Sequence, residues 1–348
     1  MTQMNPPSVA IVGAGMSGLT CARALQDAGF RVQVFDKSRG VGGRLATRRT
    51  DHGAFDHGAQ YFTARDPRFR ARVDQWISQG LVAPWTPALV AIDMAGGHPV
   101  RAAVGDGTVR YVGLPAMNHI GRTLAEGLDV RTDCTVTRAC RTPGTPGTGS
   151  RAQWTLAGVD GKGAAVALDG RFDWLVAATP SPQAATLLGD AAGLQAQARS
   201  LPMVPCWAVL ASFAAPVTAG FDAAFVNGSA LTWVARNNAK PGRDPGAECW
   251  VLHAARDWSE AALEDPADAV CARMLAEFGR VTGCSNAPVS ARAHRWRYAG
   301  PGTRTDLACL FDAGSTAGAC GDWLAGSRVE GACISGLELA RRIAEATD

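Results

Sequence analysis

"VAIVGAGMSGLTCARALQDAGFRVQVFDKSRGVGGR", residues 9–44, decides the fold class of this chain. Val9–Val12 is a compact run of apolar, β-favouring residues, the pattern of a strand buried on both faces. Gly13, Gly15 and Gly18 follow in the spacing G-x-G-x-x-G, with Ala14, Met16 and Ser17 between them, and an apolar helical pattern continues through Leu19, Ala22, Leu25 and Ala28. In such a strand–turn–helix unit Gly13 allows the tight turn, Gly15 lets a pyrophosphate approach the backbone, and Gly18 lets helix and strand pack closely. The free N–H groups and positive dipole end of the helix then face the diphosphate. A second strand, Arg31 to Phe35, ends in Asp36, whose carboxylate can accept from a ribose hydroxyl. These residues predict a dinucleotide site on an α/β, Rossmann-type domain with a parallel sheet.

The rest of the chain bounds what that domain serves. With 348 residues it can bury a large core and is expected to form two lobes. A hydrophobic fraction of 47% with 19% charged residues is typical of a soluble globular protein, and a net charge of +3 is too small to argue for nucleic acid or an anionic membrane. The ten cysteines show no C-x-x-C pair and no metal-finger spacing, which reads as buried, reduced thiols in a reducing compartment. The N-terminus lacks a basic segment followed by a continuous apolar one, and no stretch approaches the length of a membrane span. A cytoplasmic location is therefore expected. No metal site is expected either: His52 and His57 lie near Asp51 and Asp56, but no cysteine or spaced histidine completes a ligand set.

Along the chain, a Gly/Arg-rich loop (37–49) precedes "FDHGAQYFTARDPRF" and a helix over 70–79. Residues 83–100 read as alternating strands around a Gly-Gly turn, 117–126 as a short amphipathic helix and 129–139 as one strand. "RTPGTPGTGS" (141–150) is a loop that lacks the strand and helix of a second phosphate site. Two short strands (153–156, 165–168) and the buried strand in "FDWLVAATP" come next. Residues 202–253 are strand-rich and aromatic, 266–281 helical and 288–298 a strand, and the chain closes with strand, loop, strand, loop and helix. Nucleotide-type segments thus occur at both ends. The expected division is a discontinuous cofactor-binding domain (1–80, 108–185, 294–348) and a mixed or antiparallel sheet domain for substrate (81–107, 186–293).

Gly42-Gly43-Arg44 suggests backbone and guanidinium wrapping a longer ligand, with Arg44 neutralising diphosphate; its alternative is a surface loop with solvated arginines. In "CGDWLAGSRVEGACISG", Asp322 ends a short apolar strand and Gly331 opens the last helix, positions suited to ribityl hydroxyls and to a partly negative flavin edge. Together with "GAGMSGLTCARAL", "VFDKSRGVGGRLATRR", "FDHGAQYFTARDPRF" and "AHRWRYA", this segment resembles the renalase family, in its bacterial members, within the flavin amine oxidase superfamily. The resemblance runs over nearly the full length. It implies non-covalent FAD and oxidation of the 2- and 6-dihydro isomers of NAD(P) to NAD(P)⁺, with dioxygen as acceptor and hydrogen peroxide as product. It places FAD at Gly13 to Gly18, Asp36, Lys37, Gly43, Arg44, Gly58, Ala59, Gln60, Tyr61, Asp322, Glu330, Gly331 and Ala332, with Val136 at the adenine.

Loss of a hydride from a dihydropyridine needs little acid–base help, so the substrate residues sought are aromatic walls and carboxamide-binding polar groups. Tyr61, Trp233, Arg236, Asn237, His253 and Trp296 are the candidates, with Tyr298 beside them. Each has a plainer reading: Trp233 and Trp250 as core, His253 as a hydrogen-bonded structural histidine, His294 and Arg295 as partners of surface acids. Trp296 is the strongest, because its motif matches the segment flanking the flavin in the superfamily. The competing function is a flavin-dependent amine oxidase acting on a small amine; superfamily amine oxidases often carry a lysine bridged by water to the flavin. Lys37, Lys162 and Lys240 are the few lysines on offer, and none lies in a convincing late strand. A nucleotide sensor and a two-nucleotide reductase are further rivals, the latter disfavoured by the single glycine fingerprint.

Overall fold

The computed structural model describes residues 6–144, 152–168, 170–246 and 248–347. Residues 145–150 of the expected Pro/Gly/Thr loop lie outside the described residues.

The first strand, Ser8–Val12, is buried along its whole length. Val9 and Ile11 pack into one layer with Leu19, Leu25 and Leu339, and Ala10 and Val12 into another with Trp154, Leu175 and Leu187. A strand covered on both faces needs apolar side chains at odd and even positions alike, hence the unbroken run in the sequence. It lies inside a six-stranded sheet ordered Leu310–Asp312, Ala317–Ala319, Trp174–Ala177, Ser8–Val12, Arg31–Phe35, Asp129–Arg131. All neighbours run parallel except the first pair. The chain order reverses on either side of Ser8–Val12, so a crevice opens beyond its C-terminal end.

The strand expected over 129–139 is two strands. Asp133 takes a left-handed conformation (φ 54°) between Asp129–Arg131, on the edge of the main sheet, and Cys134–Thr142, which starts a separate three-stranded sheet. An aspartate tolerates that backbone better than most residues, and periodicity does not reveal the kink. The helix expected over 70–79 begins three residues earlier, as Pro67–Ser78: Asp66 caps it by accepting from the Arg68 amide, and Pro67 fills the first turn.

The second sheet has seven strands, ordered Ser290–Pro301, Met203–Phe213, Glu248–Ala254, Leu231–Arg236, Ala223–Asn227, Leu89–Asp93, Val100–Ala103. The pair Ala223–Asn227 and Leu89–Asp93 is parallel; the others are antiparallel. Its back carries Trp207, Val209, Val234, Trp250 and Leu252 against the helix Ala267–Thr282. Its front turns Trp233, Ala235, Leu210 and Val251 toward the first domain. The period-two alternation of the strands separates these two sets.

The helices Ser181–Leu187 and Ala192–Arg199 share a core with Leu175 of the nucleotide sheet, while Ser290–Pro301 runs unbroken along the substrate sheet. The expected boundaries at 186 and 294 fall inside the helix Ser181–Leu187 and the strand Ser290–Pro301. Among the described residues no helix is long and apolar enough to cross a membrane.

Candidate functional site

Beyond Val12 a cleft of about 1850 Å³ runs along the junction of the two sheets. That exceeds the several hundred Å³ of an ordinary ligand pocket and leaves room for a long dinucleotide and a second molecule. Its floor begins at the glycine turn. Gly13 has φ +113°, and a Cβ there would lie 2.5 Å from the Ala178 carbonyl oxygen; at Gly18 a Cβ would lie 1.9 Å from the Gly13 oxygen. Both are glycine for reasons internal to the fold. Gly15 is different: its φ is an ordinary −81°, and a Cβ there would meet no protein atom within 4 Å. Nothing in the chain excludes a side chain at Gly15, at the N-cap of helix Met16–Asp27, whereas a diphosphate lying on the helix N-terminus would.

Asp36 closes the turn. Its carboxylate accepts from the amides of Ala14 (2.6 Å) and Ser38 (2.7 Å) while still lining the cleft. It thus fixes the turn as well as offering an oxygen to a ribose. Lys37, Gly43, Gly58, Ala59, Tyr61 and Val136 also line the cleft, together with Met16 and Ser17. Arg44 reaches 278 residues along the chain to Asp322, with Nη1 donating to Oδ2 at 2.9 Å and Nη2 to Oδ1 at 2.5 Å. The paired fork fixes both groups at the cleft wall.

Five of the expected cofactor residues do not line the cleft: Ala14 and Gly18 within the turn, and Gln60, Glu330 and Gly331 elsewhere. Gln60 is buried; its amide nitrogen donates to the Asp56 and Gly58 carbonyls and so braces the loop that presents Gly58 and Ala59. Glu330 accepts from the amides of Arg65 and Asp66, and a Cβ at Gly331 would lie 1.9 Å from the Ala325 carbonyl oxygen. At the head of the last helix the residues that do line the cleft are Ser327, Arg328, Val329 and Ala332.

On the second sheet, Ser290–Pro301 borders the cleft from Arg292 through Ala299, with Arg292, His294, Trp296 and Tyr298 sharing one face of the strand. The Trp296 indole donates to the His57 carbonyl at 2.9 Å and stacks on the His57 ring at 5.0 Å and 29°. His294 stands edge-on to both rings, at 4.8 and 4.4 Å. His253, on the neighbouring front face, places Nε2 3.1 Å from the same His57 carbonyl. Burial pushes all three histidines down to about 4; the Arg48 charge adds to this at His57 and His294. The wall is therefore neutral imidazole and indole. His57 and His294 were not among the expected site residues, although strand alternation from Trp296 marks His294.

The remaining candidates divide by face. Tyr61 lines the cleft, with Trp233 packed behind it at 5.5 Å. Trp250 is on the back of the sheet, in the core. Arg236 lies 3.3 Å from Glu248 and Asn237 is buried, its amide donating to the Ala54 carbonyl at 2.9 Å; neither lines the cleft. Arg236 shares the back face of the sheet with Val234 and its strand partner Trp250, and Asn237 begins the turn beyond the strand. Arg295 pairs with Glu264 at 2.8 Å, as its plainer reading had it.

Asn237 belongs to a buried polar cluster that the sequence concealed. Lys240, fully buried, places Nζ 3.1 Å from the Asn237 amide oxygen, 3.2 Å from that of Gln60 and 3.4 Å from Asp56 Oδ2. Asp56 also accepts from Arg243 (2.6 Å), Thr47 (2.7 Å) and the Met117 amide (3.1 Å). Burial would raise the Asp56 carboxyl, but Lys240 and Arg243 hold it down at about 2. Burial likewise lowers Lys240 to about 8, against the opposing pull of Asp56. The cluster ties the cofactor loop to the substrate sheet without opening onto the cleft.

Residues 11–76 match the NAD(P)-binding Rossmann-like domain family. A 47-residue stretch is 53% identical to an L-amino-acid oxidase of Bothrops pauloensis, covering 14% of this chain and 9% of that protein. The chain thus spans about a tenth of the length of the curated relatives it matches. The whole fold is similar to an Exiguobacterium protein named as a protoporphyrinogen oxidase (TM-score 0.76, 13% identity, 98% of this chain and 99% of that one). It is also similar to the cyclohexylamine oxidase of Brevibacterium oxydans (TM-score 0.73, 13% identity, 98% and 99%). The fold is shared with these solved oxidases, and it includes a Rossmann-like dinucleotide-binding domain.

Proposed function

We propose that this protein is an FAD-dependent oxidase that converts 2- and 6-dihydro-NAD(P) to NAD(P)⁺, and dioxygen with one proton to hydrogen peroxide. The observation that carries the reading is the uncharged imidazole–indole wall of His57, His253, His294 and Trp296, combined with the lack, among the described residues, of any free carboxylate in the cleft. Asp36, Asp106 and Asp322 are the acids that line it; Asp36 is bonded to backbone amides, Asp106 to Arg110 and Asp322 to Arg44. A flat, neutral ring fits such a wall, and an ammonium finds no counter-ion in it.

Gly13 to Ser17, Asp36, Lys37, Arg44, Gly58, Ala59, Val136 and Asp322 would hold FAD, which when bound supplies a two-electron acceptor that dioxygen can re-oxidise. The chain's own contribution is orientation. Trp296, fixed through its indole N–H, and Tyr61, backed by Trp233, confine the dihydropyridine ring. The histidines stay neutral near pH 7, so they offer hydrogen bonds to a carboxamide without adding a charge that opposes formation of the pyridinium.

A flavin-dependent amine oxidase is the second reading, favoured by the likeness to cyclohexylamine oxidase. Lys240 donates to Gln60 and does not reach the cleft, and Lys37, which does line it, stands beside Asp36 at the dinucleotide end. Anaerobic mixing with 2-dihydro-NAD, 6-dihydro-NAD, ordinary NADH and a panel of amines, read as bleaching of flavin absorbance, separates the two. Rapid bleaching by the two isomers alone is expected. Bleaching by amines with no response to either isomer overturns the assignment.

A further inference from the structure

The cleft holds a charge imbalance that the cofactor cradle does not use. Its carboxylates are all engaged, as described above. Arg110 and Arg44 take two of them, and Arg295 and Arg297, which also line the cleft, share Glu264. Lys37, Arg39, Arg49, Arg65, Arg122 and Arg328 line the cleft without a carboxylate within 4.0 Å among the described residues, and so do Arg48 and Arg292, the two that stand with the His57–His294–Trp296 wall. Among the described residues neither of these two side chains donates a hydrogen bond to the protein. Arg292 shares its strand face with His294 and Trp296, and Arg48 sits half-buried on the strand Thr47–Thr50, opposite Phe55. Phe55, the strand partner of Arg48, packs with Leu210, the strand partner of Arg292, which brings the two arginines to one place; burial lowers Arg48 first, and Arg292 and Arg39 lower it further. Arg48 in turn bears on His57 and His294, which places the pair beside the substrate wall.

Two like charges on two strands of one cleft, Arg48 half-buried and Arg292 exposed, repel each other, and an anion between them offsets that repulsion. Among the described residues no acid lies within 4.0 Å of either, and the neighbouring imidazoles are themselves kept uncharged. Guanidinium forks match phosphate oxygens in pairs.

We propose that Arg48 and Arg292 form an anion subsite that holds the phosphate or diphosphate group of the substrate while its ring lies on Trp296. The inference deepens the proposed function and rests on its placing of the cofactor diphosphate at Gly15 and Arg44, separate from this pair. The subsite makes the phosphate a determinant of binding rather than of the chemical step. It also repels cationic amines.

The test uses the FAD-loaded enzyme and the double variant Arg48→Gln/Arg292→Gln, whose side chains are partly or fully exposed and whose loss removes like-charge repulsion. Inorganic pyrophosphate is titrated calorimetrically into both proteins, with flavin absorbance confirming that FAD stays bound. Pyrophosphate is expected to bind the parent and to bind the variant at least about tenfold more weakly, as the loss of charge-assisted hydrogen bonds implies. In turnover, the KM for 2-dihydro-NAD should rise by a similar factor with kcat little changed, while the phosphate-free dihydronicotinamide riboside is unaffected. Equal pyrophosphate binding by both proteins, or none by the parent, overturns the subsite. So does a KM increase that is the same with and without phosphate. Pyrophosphate binding lost with the two arginines, in an enzyme that no dihydronicotinamide reduces, would retain the subsite and refute the proposed function alone.

Discussion

Gly15 and Gly18 share one sequence motif and are glycine for opposite reasons. A side chain at Gly18 strikes the Gly13 carbonyl, whereas one at Gly15 strikes nothing in the protein. Gly15→Val should therefore fold with normal circular dichroism and purify without FAD, while Gly18→Val should fail to fold. A yellow Gly15→Val protein at full stoichiometry would show that the diphosphate does not lie on this turn. Lys240 gives a second prediction at this scale. Removing one partner from a buried charge pair strands the other, so Lys240→Met should cost roughly 3 kcal/mol in urea unfolding. That is the lower end of the usual range, because Arg243 remains on Asp56. A stability equal to that of the parent would mean that Arg243 alone neutralises Asp56.

Among the elements, the strand Ser290–Pro301 does most to define the substrate side. Its alternation was readable from "ARAHRWRYA": once Trp296 is assigned to the cleft, Arg292, His294 and Tyr298 follow on the same face. What the pattern hides is the partner. Trp296 is held by the His57 carbonyl, 239 residues earlier in the chain. Trp296→Ala should leave FAD bound and slow reduction by the dihydronicotinamide isomers by about tenfold to a hundredfold through lost ring positioning. Trp296→Phe, which keeps a stacking surface on His57 but loses the hydrogen bond, should fall between. Unchanged reduction in Trp296→Ala would remove this strand from the substrate site. The element containing Asp133 is the contrary case. One residue at φ 54° turned a single expected strand into two on different sheets, and hydrophobic periodicity carries no record of it.

For the whole molecule, the neutral histidine wall sets a pH response. His57, His253 and His294 sit at about 4 in the folded protein against an ordinary 6.5. Below that ordinary value the unfolded chain takes up protons that the native state refuses, so stability is complete above it and falls as pH drops toward about 4. The slope is at most about 1.4 kcal/mol per pH unit for each histidine. Asp56, held at about 2 against 3.8, adds a further loss below that window. Urea midpoints measured from about pH 7 to about pH 4 should show the decline, and His294→Asn should flatten it. The same neutrality predicts that reduction by the dihydro isomers is nearly flat from about pH 6 to about pH 8, where an amine substrate would show a steep rise as it loses its proton. A steep rise with an isomer would mean that a group in the cleft titrates during the reaction.

The sequence by itself determined the nucleotide half of this protein. A glycine turn between strand and helix is a local device: its steric requirements act over six residues, and the acid that closes it follows at the end of the next strand. Val9–Val12, Gly13 to Gly18 and Asp36 therefore stand in the structure where residues 9–44 placed them. The tertiary structure alone decided the substrate half. Whether Trp233 or Trp250 faces the cleft, whether His57 joins His294, and whether Asn237 contacts substrate or Lys240 depend on which sheet face meets which domain. Contacts spanning some two hundred residues leave no periodic trace. Burial and charge neutralisation settle them only when the whole chain has closed.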